Sequence, residues 1–131
     1  MIAMRARTRW DRRGLQRRAQ GGSIQSLGHA GAALRLVARH SIRRSARAAT
    51  PGAPPHTRRG QLKRAIRFAV EPSAQRVFIG PTHTLVGRSA AAHEFGGRYR
   101  GQRYPQRPLM GPALSSLRNR LARFWANSVK P

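Results

Sequence analysis

Apolar residues recur at steps of three and four from residue 24 onward: Ile24, Leu27, Gly31, Leu34, Ala38 and Ile42. This spacing predicts an amphipathic helix over about residues 24–48, with Ser23 as its N-cap. Arg35, Arg39 and Arg43 step by four along another face of the same helix. Gly28 and Gly31 each weaken it by roughly 1 kcal/mol relative to Ala, but their size permits a close packing contact. Thr50-Pro51-Gly52-Ala53-Pro54-Pro55 ends the helix, because proline excludes its predecessor from helical geometry. Two alternating runs follow, Ile66/Phe68/Val70 and Val77/Ile79, and the break at Glu71-Pro72-Ser73-Ala74 between them predicts a hairpin. Residues 82–88 read as a short extended piece, 89–95 as a short helix or strand, and 96–106 as a loop. From Pro112, a helix start, Ala113, Leu114, Leu117, Leu121, Phe124 and Trp125 line one face to about residue 127. The order predicts an α+β fold: a long N-terminal helix, a small antiparallel sheet and a C-terminal helix.

Residues 1–22 break the pattern. Seven Arg surround Trp10 and Leu15, and Gly21-Gly22 closes the stretch. It reads as a basic arm, disordered alone or helical on a partner, ahead of an α+β domain at 23–131.

Charge changes the picture more than composition does. The 131 residues hold 25 Arg, 2 Lys and only three acids (Asp11, Glu71 and Glu94), for a net charge of +24. GC-rich coding favours Arg over Lys, but a chain this basic needs anionic company whatever the origin of its arginines. Three acids leave little material for paired-carboxylate catalysis or for a base oriented by an acid. The absence of Cys excludes disulfides, thiolate nucleophiles and Cys-bound zinc. His93-Glu94 begins like a zincin helix, but Gly97 occupies the place of the second His, and the other histidines are scattered. Gly96-Gly97 lacks the Gly-Lys-Ser/Thr ending of a phosphate loop. These exclusions predict a protein that is not an enzyme and takes no metal or cofactor. No stretch approaches the ~18–20 apolar residues of a membrane span. The N-terminus is Arg-rich like an organellar transit peptide but lacks the Ser content. One segment interleaves basic and aromatic residues: Arg98, Tyr99, Arg100, Arg103 and Tyr104 are candidates for contacts with a neighbouring subunit, a connector or DNA.

Three stretches together resemble the tail-completion, or virion-morphogenesis, proteins of tailed bacteriophages. The first runs from Pro51-Gly52-Ala53-Pro54-Pro55 through Thr57 to Gly60-Gln61-Leu62-Lys63-Arg64-Ala65-Ile66. It is similar to the family's Pro-Gly-x-Pro-Pro…Thr-Gly-x-Leu-Arg-x-Ser-Ile joint, with Pro55, Gly60 and Leu62 at matching places. The second, Ala92-His93-Glu94-Phe95-Gly96-Gly97, resembles the family's Glu-Phe-Gly-Thr or Glu-Phe-Gly-Gly. The third is Tyr104-Pro105-Gln106-Arg107-Pro108-Leu109-Met110-Gly111-Pro112-Ala113-Leu114, like Pro-Ala-Arg-Pro-Phe-(Leu/Met)-x-Pro-Ala-Leu. This sequence departs from the pattern in the two arginines between Thr57 and Gly60, in Ala65 for Ser and in Leu109 for Phe. Each motif has a physical reason. The prolines fix the exit of the helix, and Gly96-Gly97 permits positive φ. Pro105 and Pro108 stiffen an extended segment, and Arg107 between them can pair with a carboxylate such as Glu94, or with a carbonyl.

The resemblance implies a virion structural protein forming a ring, six copies by analogy, at the head–tail junction. There it would finish the tail tube or join it to the head connector, with genomic double-stranded DNA passing through. Its partners would then be itself, tail-tube and connector proteins and that DNA, in the virion and, during assembly, the host cytoplasm. Six copies at +24 carry +144, whereas a channel about 36 Å long holds roughly 20 DNA phosphates. The arm (Arg5 to Arg18) and the stripe of Arg35, Arg39 and Arg43 are therefore expected to face proteins, with few arginines per copy lining the channel. The alternative is a small basic nucleic-acid-binding protein of ribosomal or DNA-packing type.

Overall fold

The computed structural model describes residue 9 and residues 11–129. Helix α1 (Arg12–Ser41) opens where an Asp11 carboxylate oxygen accepts from the Gly14 N–H at 2.8 Å. An acid at this place satisfies an orphaned donor and complements the positive end of the helix dipole. The helix thus begins well before Ser23, and residues 12–22 of the expected arm belong to it. Gly21-Gly22 does not close an element. Gly22 is where the C-terminal segment crosses: a Cβ there would lie 1.8 Å from the Ser128 carbonyl oxygen. The arm's Arg5, Arg7 and Trp10 lie outside the described residues.

Helix α1 also stops earlier than its sequence suggests, at Ser41 rather than near residue 48. Continuing it would stack Arg39, Arg43 and Arg47 at like-charge i,i+4 spacing. Instead Ile42 turns extended and is buried. Beyond it the backbone pairs with Thr57, whose N–H donates to the Arg43 carbonyl at 2.9 Å and whose carbonyl accepts from Ser45 at 3.2 Å.

A short helix α2 (Gln61–Ala65) leads into β1 (Ile66–Glu71), which pairs antiparallel with β2 (Arg76–Pro81) from Ile66↔Pro81 to Glu71↔Arg76. This expected hairpin lies across α1 at Gly31, where a Cβ would come within 2.8 Å of both Phe68 and Val77 side chains. The stretch expected to be extended holds α3 (His83–Val86), and α4 (Ser89–Phe95) follows as a helix. The expected loop is ordered as a second hairpin, β3 (Gly97–Tyr99) and β4 (Gln102–Tyr104), separate from the first sheet. Helix α5 (Met110–Leu117) passes into a 3₁₀ segment, Arg118–Trp125. The fold is α+β, with a long N-terminal helix, small antiparallel sheets and a C-terminal helix.

The core joins the C-terminal half of α1 to the rest. Leu34, Ala38 and Ile42 pack with Leu62, Ile66, Leu109, Ala113 and Leu117. Leu114, expected on the buried face of the last helix, is 47% exposed, because Ala113 and Leu117 turn inward instead.

Candidate functional site

The three motif stretches are far apart in sequence and meet in space. The Gly52 N–H donates to the Gln106 carbonyl at 2.8 Å, and the Arg107 N–H to the His93 carbonyl at 2.7 Å. Gln106 Nε2 donates to the Glu94 carbonyl at 3.0 Å. Of the two partners open to Arg107, the structure selects the carbonyl: its Nε donates to Ala49 O at 2.6 Å. Glu94 is engaged elsewhere. Its carboxylate accepts from the backbone N–H groups of Leu109 at 2.7 Å, Met110 at 2.9 Å and Gly111 at 2.9 Å. These are the free donors at the start of α5, so Glu94 caps that helix from another element. Pro55 is fully buried behind the joint, Leu62 is in the core, and Gly60 takes a left-handed φ of 77° just before α2. Gly96 and Gly97 have φ values of 70° and 118°, as expected where α4 gives way to β3.

Phe95 does not join this packing. It is 79% exposed, at the edge of a 250 Å³ apolar cleft walled by Pro55, Leu62, Ile79 and Leu109. His93 lies beside the same cleft. Burial, and then the Arg107 guanidinium, hold its pKa below the ordinary 6.5, and its buried Nδ1 has no hydrogen-bond partner among the described residues.

The β3–β4 hairpin turns through Arg100 (φ 51°) and Gly101 (φ 77°), the two left-handed positions of a type I′ turn. Register places Arg98 directly opposite Arg103. With a side-chain period of two, Tyr99 and Tyr104 share the other face. Their rings meet edge to face at 6.0 Å, and the Arg100 guanidinium lies over Tyr99 at 5.4 Å. The five residues singled out by composition therefore form one small two-faced element. The Arg35/Arg39/Arg43 stripe does not survive as a unit. Arg43 lies beyond the end of α1, and Arg35 Nε donates to the Ile66 carbonyl at 3.0 Å, tying α1 to β1.

All three acids have local tasks: Asp11 caps α1, Glu94 caps α5, and Glu71 pairs with Arg76 at 2.6 Å across the first hairpin. Arg76 alone, among the described residues, has a side-chain carboxylate partner. The guanidiniums of Arg98, Arg100 and Arg103 are exposed with none. Two open grooves meet at Tyr99 and Arg100. One, of about 700 Å³, also carries Arg58 and Arg59. The other, of about 550 Å³, carries Arg88 and Arg98. Neither is lined by an acid. Sequence reasoning missed the capping role of Glu94, which spans 15 to 17 residues; the only local sign was an acid in a chain with almost none. The chain matches no protein-family model, no curated protein and no solved structure.

Proposed function

We propose that this chain is a structural component of a tailed-phage neck. It would assemble as a ring that completes the tail tube or joins it to the head connector, and DNA would pass through it. The observation that supports the reading is the convergence of the three motif stretches. The Pro-rich joint, the Glu-Phe-Gly-Gly turn and the Pro-x-Arg-Pro segment interlock through Gly52, His93, Glu94, Gln106 and Arg107. Motifs that act through shape are expected to fold around one another in this way. The same interlocked region offers an exposed Phe95 beside an apolar cleft, a surface suited to a protein neighbour. This function has no catalytic step, no metal and no cofactor.

The test is deletion of the gene from the genome that encodes it, followed by electron microscopy of the lysate. Separate DNA-filled heads and finished tails are expected, and a plasmid copy should restore joined particles. Joined, infectious particles without the gene would overturn the proposal. Light scattering of nuclease-treated protein in high salt adds a second readout. A ring, or a monomer that oligomerises only with a tail or connector protein, fits the reading. A monomer that associates only with nucleic acid favours the ribosomal or DNA-packing alternative.

A further inference from the structure

We infer that the β3–β4 hairpin is a clamp for the phosphodiester backbone of DNA, with Arg98 and Arg103 gripping a phosphate between them. The inference deepens the neck reading by assigning the surface that meets the passing DNA, and it rests on that reading for its biological setting. The hairpin is built against its own charge. Residues directly opposite on antiparallel strands have Cβ atoms about 4.5–5.5 Å apart, and like charges in that position repel. Arg98 and Arg103 take those positions, and neither has a carboxylate partner among the described residues. Arg100 adds a third guanidinium at the turn, in a left-handed conformation that non-glycine residues rarely adopt. An anion between Arg98 and Arg103 converts the repulsion into two charge-assisted contacts.

A linear polyanion fits better than an acidic protein patch. A carboxylate can accept a guanidinium on each of its oxygens, but it ends a separate side chain, and nothing fixes where the next charge lies. A tetrahedral phosphate accepts donors from several directions, and the next phosphate follows a short step along the strand. The two grooves meeting at Tyr99 and Arg100 continue the positive track, toward Arg88 on one side and Arg58 and Arg59 on the other. A two-stranded ribbon is also narrow enough to approach a duplex groove.

The full-length chain, freed of nucleic acid in high salt, would be titrated onto a fluorescein-labelled 20-base-pair duplex, with anisotropy read between 100 and 400 mM NaCl. The hairpin variant Arg98→Gln/Arg103→Gln is compared with Arg12→Gln/Arg13→Gln, which removes the same charge from the exposed start of α1. The hairpin variant should bind about ten-fold more weakly at 150 mM salt and lose about one to two units from the slope of log affinity against log salt, as one or two lost phosphate contacts require. The α1 variant should stay within about three-fold of the parent. Arg98→Lys/Arg103→Lys keeps the charge without the fork. It should retain the slope and weaken binding, which keeps the test open if the Gln variant does not fold. Equal losses in the hairpin and α1 variants would reduce the effect to net charge and overturn the clamp. So would lost binding to a 20-residue poly-glutamate with duplex binding intact, which would assign the pair to an acidic protein. Because this assay uses the isolated chain, its failure leaves the neck reading to the deletion experiment, and failure of the deletion experiment leaves the clamp measurable.

Discussion

Replacing Glu94 with Ala should do more damage than its half-exposed position suggests. The carboxylate accepts three backbone N–H groups at the start of α5, at 2.7, 2.9 and 2.9 Å. A lost N-cap bond costs about 1 kcal/mol, and a hydrogen bond to a charged group contributes about 1.5–3 kcal/mol. Water can reach the Gly111 donor, which is exposed, but reaches Leu109 poorly, since that residue is buried in the core. A net loss of about 2–3 kcal/mol follows. With an unfolding entropy of about 2.1 cal/mol/K per residue, roughly 0.28 kcal/mol/K for the whole chain, this lowers the midpoint by about 7–11 °C. Glu94→Gln keeps the side-chain length and one acceptor oxygen, so about half of that loss is expected. Thermal unfolding followed by circular dichroism in 0.5 M NaCl would measure both. An Ala variant melting within about 2 °C of the parent would show that the cap does not hold α5, and the account of why these motifs interlock would fail with it.

Two glycines on α1 should respond in opposite directions. Gly28→Ala meets nothing within 4 Å and should stabilise by about 0.5–1 kcal/mol. Gly31→Ala drives a Cβ to 2.8 Å from Phe68 and Val77, and overpacking of about 1–3 kcal/mol should exceed the propensity gain; equal effects in urea melts would argue against the hairpin's seat on α1. Leu117→Ala should cost about 2–5 kcal/mol, whereas Leu114→Ala, at a site 47% exposed, should cost under about 1 kcal/mol; similar losses would mean that the two residues do not differ in burial. His93, held below 6.5 by burial and then by Arg107, takes up a proton less readily when folded than when unfolded. Its contribution is therefore present above about pH 6.5 and is lost as pH falls through the folded value. Between pH 7.5 and 5 the midpoint should drop less in His93→Gln than in the parent, and identical drops would refute the assignment.

The long helix, the first hairpin and the last helix were legible because a single stripe of apolar residues suffices to show each. Leu27, Leu34 and Ala38 mark α1, and Ile66 and Ile79 mark the sheet. What the sequence concealed lies where distant segments decide the outcome. Gly21-Gly22 looks like punctuation until the Ser128 carbonyl is laid against it. Residues 42–48 have helical spacing, but pairing with Thr57 and the stacked arginines override it. The hairpin at Arg98 to Tyr104 carries no apolar alternation, so its order comes from the Arg100-Gly101 turn and the tyrosine pair, neither of which has a hydrophobic period. The residues of the basic hairpin were visible as a composition. Their division into an arginine face and a tyrosine face needed the register.

With so few acids, arginine in this chain does work that carboxylates share elsewhere. Arg35 reaches the Ile66 carbonyl, Arg107 the Ala49 carbonyl, Arg44 the Arg58 carbonyl and Arg58 the Ala46 carbonyl. A guanidinium holds five donors on a rigid plane, so one Nε–H can fasten a backbone oxygen while the remaining donors stay available outward. Each such residue therefore fastens two segments without a buried ion pair, and its charge remains to be met by something outside the chain. The joint gathers Arg44, Arg58 and Arg107 around the segments that the motifs interlock. Among the described residues, the second hairpin has no carbonyl staple of this kind on Arg98, Arg100 or Arg103. This contrast separates arginines that build the fold from arginines the fold leaves for a partner. Arg12, Arg13, Arg17, Arg18 and Arg39 of α1 also lack such a staple among the described residues, and what sets the hairpin apart from them is the register that places Arg98 directly opposite Arg103.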